Sequence, residues 1–311
     1  MVRQSVRNVL LAKSESIYGT DPTPTPEANA IAVIDAQIKE TFEANDRGIQ
    51  LATLSKKPSI GGMRYAEITF QAELMGSGAA GTAPKLGALF KACAMSESVA
   101  ASSVVYSPAS SPITSCTLYL YKDGVLHKVT GAVGSFKLTA EAGKIAMLDF
   151  SFKGIYNAPS DQSNPSPTFE STVDTPPTVV SAGFEYNSDD TLVIQHFMID
   201  VANTIGMRPS INEAYGVKGF QIKDRKPNLE FDPEAQALSA INFRSDVMTN
   251  LREVVATVGS SSGNRCAISI PKFNLMSVEY GDRDGTLTEI VKGELVANSG
   301  SGDDEITLSF T

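Results

Sequence analysis

Residues 66–74 alternate without a break, with Ala66, Ile68, Phe70, Ala72 and Leu74 on one side and Glu67, Thr69, Gln71 and Glu73 on the other. Successive side chains of an extended chain point to opposite faces, so this period of two commits the segment to a strand with one buried and one solvated face, as in an antiparallel sheet. The buried face needs a partner layer, and the next periodic segment offers one. Leu86, Leu89, Phe90 and Cys93 recur at helical spacing, with Thr82 and Pro84 placed as cap and first-turn residue. The expectation is a helix whose single apolar stripe packs on the sheet.

More strands follow. Residues 117–121 and 125–130 flank a Lys122-Asp123-Gly124 turn, and 135–138 and 145–152 continue the pattern. Residues 157–177 then hold five prolines among Ser, Thr and Asp with almost no apolar period, the composition of a linker. Beyond it, strands are expected at 191–200, 217–222 and 228–232, a helix through Ala240, Phe243, Val247 and Leu251, and strands at 254–258, 267–270, 275–280, 286–297 and 305–310. Each half thus carries strands and one helix. A faint internal repeat agrees: 134–138 followed by 147–151 is similar to 219–222 followed by 228–232. With 311 residues, 24 glycines, 16 prolines and 7% aromatics, the chain has the length and turn content of two β-rich domains. We divide it into an arm (1–30), a first domain (31–157), a linker (158–177) and a second domain (178–311). The arm carries Arg3, Arg7 and Lys13 before the first acid, Glu15, and is broken by a proline-rich stretch at 20–27.

The net charge of −9 argues against stable binding of nucleic acid, whose affinity comes from cationic side chains releasing counterions. It leaves open nucleic acid as a passing cargo, which a wall of the same sign repels weakly. Cys93, Cys116 and Cys266 are too dispersed for a disulfide framework or a CxxC site and read as buried thiols. Val9-Leu10-Leu11-Ala12 is too short for a leader core and no run reaches membrane-spanning length, so the expected place of synthesis is the cytoplasm.

Several segments imitate chemistry. Residues 76–81 read G-x-G-x-x-G between a strand and a helix, but the strand alternates where a parallel central strand would be apolar on both faces, and Pro84 delays the helix. A glycine loop accounts for it better than a dinucleotide site. Residues 259–263 fit G-x-S-x-G, yet strands flank them on both sides, and neither His127 nor His196 has a reason to approach. Residues 280–285 and 302–305 are short of calcium ligands and read as turns. No cofactor, metal or catalytic residue is expected.

Other segments resemble a known family. Leu11-Ala12-Lys13 with Glu15, Tyr18-Gly19-Thr20-Asp21, residues 73–78 with Gly76 and Gly78, Ala83-Pro84, Leu89 and Ala92-Cys93 resemble the amino-terminal half of phage tail tube proteins. Gly143-Lys144, residues 147–150 ending in Phe150, Gly154-Ile155-Tyr156, Asp224-Arg225-Lys226-Pro227, Asp282-Arg283-Asp284-Gly285 and Asp304-Glu305-Ile306 extend the likeness over nearly the whole chain. Their order and spacing carry it together. Ala94 stands where the family pattern leads one to expect glycine.

The resemblance implies two tandem tail-tube-type β-sandwich or barrel domains, each with one packed α-helix, and a structural role without enzymatic activity. Rings of such subunits would stack into a hollow tube in a siphovirus-type tail, with double-stranded DNA passing through at ejection. The tape-measure protein would occupy the lumen during assembly, and tail terminator and distal tail proteins would hold the ends. Two domains per chain suggest three chains per ring. The cationic arm, with Arg3, Arg7, Leu10, Lys13 and Tyr18, is expected at the oligomer interface, bridging stacked rings. Two other readings are an adhesion or ligand-binding β-sandwich of the particle, which would show aromatic-rich loops, and a nucleotide enzyme using residues 76–81.

Overall fold

The computed structural model describes residues 3, 4, 6–189 and 191–311, so part of the expected arm (1, 2 and 5) lies outside the described residues. From the amino terminus come strand β1 (Asn8–Ser14), a short helix α1 (Pro26–Asn29), β2 (Ala30–Ile31), and the long strands β3 (Ile34–Asn45) and β4 (Ile60–Glu73). Helix α2 (Gly87–Ala92) precedes the hairpin β5 (Met95–Val99) and β6 (Val104–Pro108), then β7 (Cys116–Lys122), β8 (Val125–Glu141) and β9 (Met147–Tyr156). Short β10 (Ser160–Asp161) lies within the proline-rich stretch and β11 (Glu185–Tyr186) follows it. They lead to β12 (Ile194–Asp200), the hairpin β13 (Asn203–Pro209) and β14 (Val217–Arg225), and β15 (Asn228–Pro233). Helix α3 (Phe243–Asp246) and strands β16 (Leu251–Val258), β17 (Cys266–Arg283), β18 (Thr286–Leu295) and β19 (Thr307–Phe310) complete a mainly β protein.

The alternating segment lies in β4 as its period requires: Ala66, Ile68, Phe70, Ala72 and Leu74 are buried and Thr69 is exposed. Helix α2 covers that buried face through Leu89 and Phe90, and Phe90 meets Tyr106, Phe136, Phe150 and Phe310. It begins later than expected. Thr82 and Pro84 sit in the turn before it, where the Pro84 carbonyl accepts from the Gly87 amide at 2.8 Å. Ala94, just past its end, has φ of +61°, the left-handed conformation that glycine adopts without strain. Ala94→Gly is therefore expected to stabilise the fold by about 0.5–1 kcal/mol, read as a raised midpoint in urea.

The second expected helix is much shorter. Asn242 caps α3 by accepting from the Ser245 amide, but Met248 turns left-handed (φ +52°) and Leu251 opens β16. Asp246 decides the stop. Its buried carboxylate takes the Arg252 guanidinium at 2.8 and 2.9 Å, the Asn250 amide and the Tyr186 hydroxyl, drawing the chain directly into the strand. Burial pushes this carboxyl's pKa up, but those three donors outweigh it and hold the pKa below the ordinary aspartate value. The resulting stability is present above the usual carboxylate range and lost as pH falls through it. Asp246→Asn is expected to cost about 1–3 kcal/mol at neutral pH and to flatten the acid limb of a melting-temperature profile.

The expected arm is corrected by β1. Its burial follows from pairing on both sides, with β7 along its whole length and with β2 at Leu10 and Leu11. Leu10 and Ala12 enter the main core, whereas Val9 and Leu11 pack with Tyr119, Tyr121 and Leu126 in a second cluster. The proline-rich stretch runs against the body: Thr172 Oγ1 donates to the Gly76 carbonyl at 2.6 Å, Ser171 Oγ to the Ser77 carbonyl, and the Lys85 amide to Glu170. The halves also share structure, since β8 pairs with β12, β6 pairs with β19, and one cluster of buried side chains runs from Leu10 to Phe310.

The duplication lies elsewhere than the faint repeat placed it. Strand β14 pairs with β13, not β15, and its Val217 and Phe220 pack on Val133, Met63 and Tyr65. What repeats is an order of pairings. Edge strand, inner strand, helix, outer strand, corner strand and return strand are β3, β4, α2, β7, β8 and β9 in the first half. They are β12, β15, α3, β16, β17 and β18 in the second. The rungs match as well. Lys153 of β9 stands opposite Glu67 of β4 in an ion pair of 3.1 Å, and Lys292 of β18 stands opposite Glu230 of β15, also at 3.1 Å. On the next rung a glycine lies beside a bulge of the corner strand in both halves, Gly154 at Thr130/Val133 and Gly293 at Leu275/Ser277. A Cβ on Gly154 would sit 2.8 Å from the Thr130 carbonyl oxygen, and one on Gly293 2.2 Å from the Asn274 carbonyl oxygen, so close backbone approach requires both glycines.

Candidate assembly surface

Joining the two half-ladders through β8 and β12 produces one antiparallel sheet in the order β3-β4-β9-β8-β12-β15-β18-β17. A sheet that does not close presents unpaired backbone groups at both ends. Among the described residues, β3 pairs with β4 alone, and residues 277–283 of β17 pair with β18 alone. Each free edge carries an apolar side chain in the open: Phe42 on β3 is 51% exposed and Tyr280 on β17 is 64% exposed. Both rings are held in place. Phe42 meets the edge of Tyr156 at 5.5 Å with Arg64 over its face, and Arg244 lies 4.4 Å over Tyr280.

The sheet's core-facing side is aromatic, with Phe70, Phe150 and Phe152 stacked at 5.4–6.0 Å. At one end its other side carries the β13–β14 hairpin, packed on Met63, Tyr65 and Val133; beyond that it is polar and mostly acidic. Glu67, Gln71, Asp149, Asp200, Glu230 and Glu294 project from it with fewer cations, chiefly Lys137, Lys153 and Lys292. The Lys153–Glu67 and Lys292–Glu230 pairs cancel, and of the residues named Asp149, Asp200 and Glu294 against Lys137 leave the surface negative.

The residues expected at an interface through the arm are engaged within the chain. Arg3 pairs with Asp161 at 2.9 Å, Arg7 with Asp123 at 3.0 Å, Lys13 donates to the Pro22 carbonyl, and Leu10 is core. Tyr18 joins the two halves: its hydroxyl lies 3.0 Å from the carbonyls of Gly131 and Phe220 and accepts from the Phe220 amide at 2.6 Å. Burial raises the phenol's pKa. Tyr18→Phe is expected to cost about 1–3 kcal/mol by leaving the Phe220 amide unsatisfied, measured by chemical denaturation.

The remaining motif residues have structural tasks. The amide of Gly76 donates to Asn264 Oδ1 and that of Gly78 to the Gly263 carbonyl, so the glycine loop at 76–81 clasps the loop at 259–263 and spends amides that would otherwise face a phosphate. The latter loop joins β16 to β17 as a hairpin connection. Pro84 positions α2, Gly143 donates to the Val179 carbonyl, and Phe150 centres the aromatic core. Asp224 is partly solvated and pairs with Lys226, whereas Arg225 ties β14 to Asp303 at 2.9 Å and Glu305 at 3.1 Å. Asp282, Asp284 and Gly285 make the turn from β17 to β18, and Arg283 returns to Asp232 at 2.7 Å. His127 pairs with Glu40 at 2.9 Å and His196 with Asp232 at 3.1 Å, apart from each other and from the serine loop. Burial pushes the thiol pKa of Cys266 up to about 12 and those of Cys93 and Cys116 well above the ordinary value, which keeps all three as unreactive thiols. Among the described residues no group of three His, Cys, Asp or Glu side chains is placed to hold a metal, and no helix is long and apolar enough to cross a membrane.

A duplicated β fold with two unpaired sheet edges, an acidic face and motif residues committed to packing defines a structural protein built for association. Residues 5–311 match the family of the phage tail tube protein, and the chain belongs to that family. It is a structural subunit of a phage tail tube and has its place in the virion tail. No curated protein matches it.

Proposed function

We propose that three copies close into a ring, that rings stack into a hollow tube, and that the tube of a siphovirus-type tail conducts double-stranded DNA from capsid to host. The observation that carries this reading is the eight-strand sheet assembled from two equivalent half-ladders, open at both ends. Three such sheets supply six half-ladders, and closure removes the exposed edges. The tape-measure protein in the lumen, and terminator and distal proteins at the ends, complete the assembly. Cryo-electron microscopy of the purified protein at high concentration tests it. Three chains per ring with approximate sixfold appearance is the expected image; six chains per ring, or monomers at every concentration and salt, would overturn it.

The acidic sheet face then lines the lumen, where like charge lets DNA slide without sticking. Asp149→Lys with Glu294→Lys is expected to slow genome release in low salt, where screening is weakest. Unchanged release in a dye-based ejection assay would contradict that assignment.

A further inference from the structure

The junction between the two halves of one chain is a worked example of the contact that its free edges lack. At that junction β8 pairs with β12 in the register Lys137↔Asp200, Leu138↔Ile199, Thr139↔Met198. The matched Lys–Glu rungs convert this register into one for the free edges. Val133 opposite Lys153 corresponds to Ser277 opposite Lys292, so Phe136 of β8 corresponds to Tyr280 of β17. Phe197, reached from Glu230 of β15 by one rung through Phe231, corresponds to Ile38, reached from Glu67 through Ile68, so Val201 corresponds to Phe42. The ladders end alike too: Thr139↔Met147 and Arg283↔Thr286 are the last pairs before their turns, equally far from the lysine.

Phe136 and Val201 meet at the internal junction, where the Val201 amide donates to the Phe136 carbonyl at 3.2 Å, and both are buried, at 2% and 0% exposure. Their counterparts Tyr280 and Phe42 lie exposed at the free ends, at 64% and 51%. The chain therefore carries at each end half of a contact that it completes internally once.

We propose that the β17 edge of one copy, residues 277–283, takes the β3 edge of a second copy, residues 39–45, as an antiparallel strand in the register of the internal junction, with Tyr280 set against Phe42. The occupant is a second copy of this chain, because its β3 edge is the equivalent of the β12 that already fills the same place on β8. The inference rests on the ring closure proposed above and specifies which strands meet and where. This register sets Glu279 beside Glu43. A slip of four residues would instead set Glu279 opposite Lys39 and Arg283 opposite Asp35, so charge alone favours the slip while the internal template and the burial of both rings favour the register proposed. The two are separable by experiment.

Two single-cysteine variants, Glu43→Cys and Glu279→Cys, are mixed under ring-forming conditions and oxidised; the three native thiols are buried and give little background. Directly opposed positions lie within disulfide reach. A covalent dimer in the mixture, absent from either variant alone and from a Lys39→Cys plus Glu279→Cys mixture, is the expected result. Rings seen by negative stain with no dimer, or with a dimer only in the Lys39→Cys mixture, would overturn the register and leave ring closure standing. Absence of rings from the unmodified protein would remove ring closure itself and this contact with it. As a second measurement, Tyr280→Ala should keep its melting temperature, since the ring is exposed in the monomer, while raising the concentration needed for assembly about tenfold or more. An unchanged assembly threshold would also overturn the proposal.

Discussion

Removing residues 1–16 will leave a chain that does not fold. The segment contains β1, whose Leu10 and Leu11 are fully buried on opposite faces. Truncating one buried leucine costs about 2–5 kcal/mol, and a whole domain is stable by about 5–15 kcal/mol, so losing both removes a large share of the total before the rest of the strand is counted. The deletion also removes Glu15, a buried carboxylate that accepts from Ser115 Oγ, Thr117 Oγ1 and the amides of Gly19 and Gly131 at 2.6–2.7 Å. Those donors would be left inside without partners, and β7 would lose a paired edge along its length. Removing residues 1–6 is a different matter: it costs the Arg3–Asp161 pair, both of whose side chains are exposed, worth about 0–1 kcal/mol. Soluble expression and far-ultraviolet circular dichroism of the two deletions check this. A soluble 1–16 deletion with an unchanged spectrum would show that β1 is dispensable.

Phe150→Ala is expected to destabilise the folded subunit by about 3–5 kcal/mol, against a small change for Phe42→Ala, although both are phenylalanines on the same sheet. Phe150 is 2% exposed, stacks on Phe70 and Phe152 at 5.4 and 5.8 Å, and meets Phe90 and Phe136. Its removal opens a cavity among the rings of Phe70, Phe90, Phe136 and Phe152, where β4, β8, β9 and α2 converge. Phe42, half in solvent, leaves no cavity behind. Urea denaturation of both variants, compared at the midpoint, measures the difference; equal midpoints would place the core elsewhere.

Much of this architecture was legible from local pattern. The period of two in residues 66–74 located β4 and its buried face, and the spacing of Leu89, Phe90 and Cys93 located α2, because each reports a single element's contact with a core. The family resemblance reached the same protein class through residues that prove to be packing and turn positions. Even Ala94, out of place by pattern, marked a left-handed residue.

What the local pattern could not show was pairing. Arg3, Arg7 and Lys13 made the amino terminus look like a solvated arm, since charge composition carries no information about which strand will enclose Leu10 and Leu11 on both sides. The helix expected through Leu251 stopped at Asp246 because Arg252, a residue of the following strand, binds its carboxylate. The repeat is the sharpest case. Its sequence trace was present in Ala66-Glu67-Ile68 against Leu229-Glu230-Phe231 and in Phe152-Lys153-Gly154 against Val291-Lys292-Gly293, each too short to stand out alone. Only when the fold sets Lys153 on Glu67 and Lys292 on Glu230 do four separate fragments become two copies of one rung. By itself the sequence determined strand content, the α2 stripe, the polarity of each face and the family. Which strands lie side by side, where the sheet is left open, and that one core spans both halves were decided by the tertiary structure, because those depend on contacts between residues far apart in the chain.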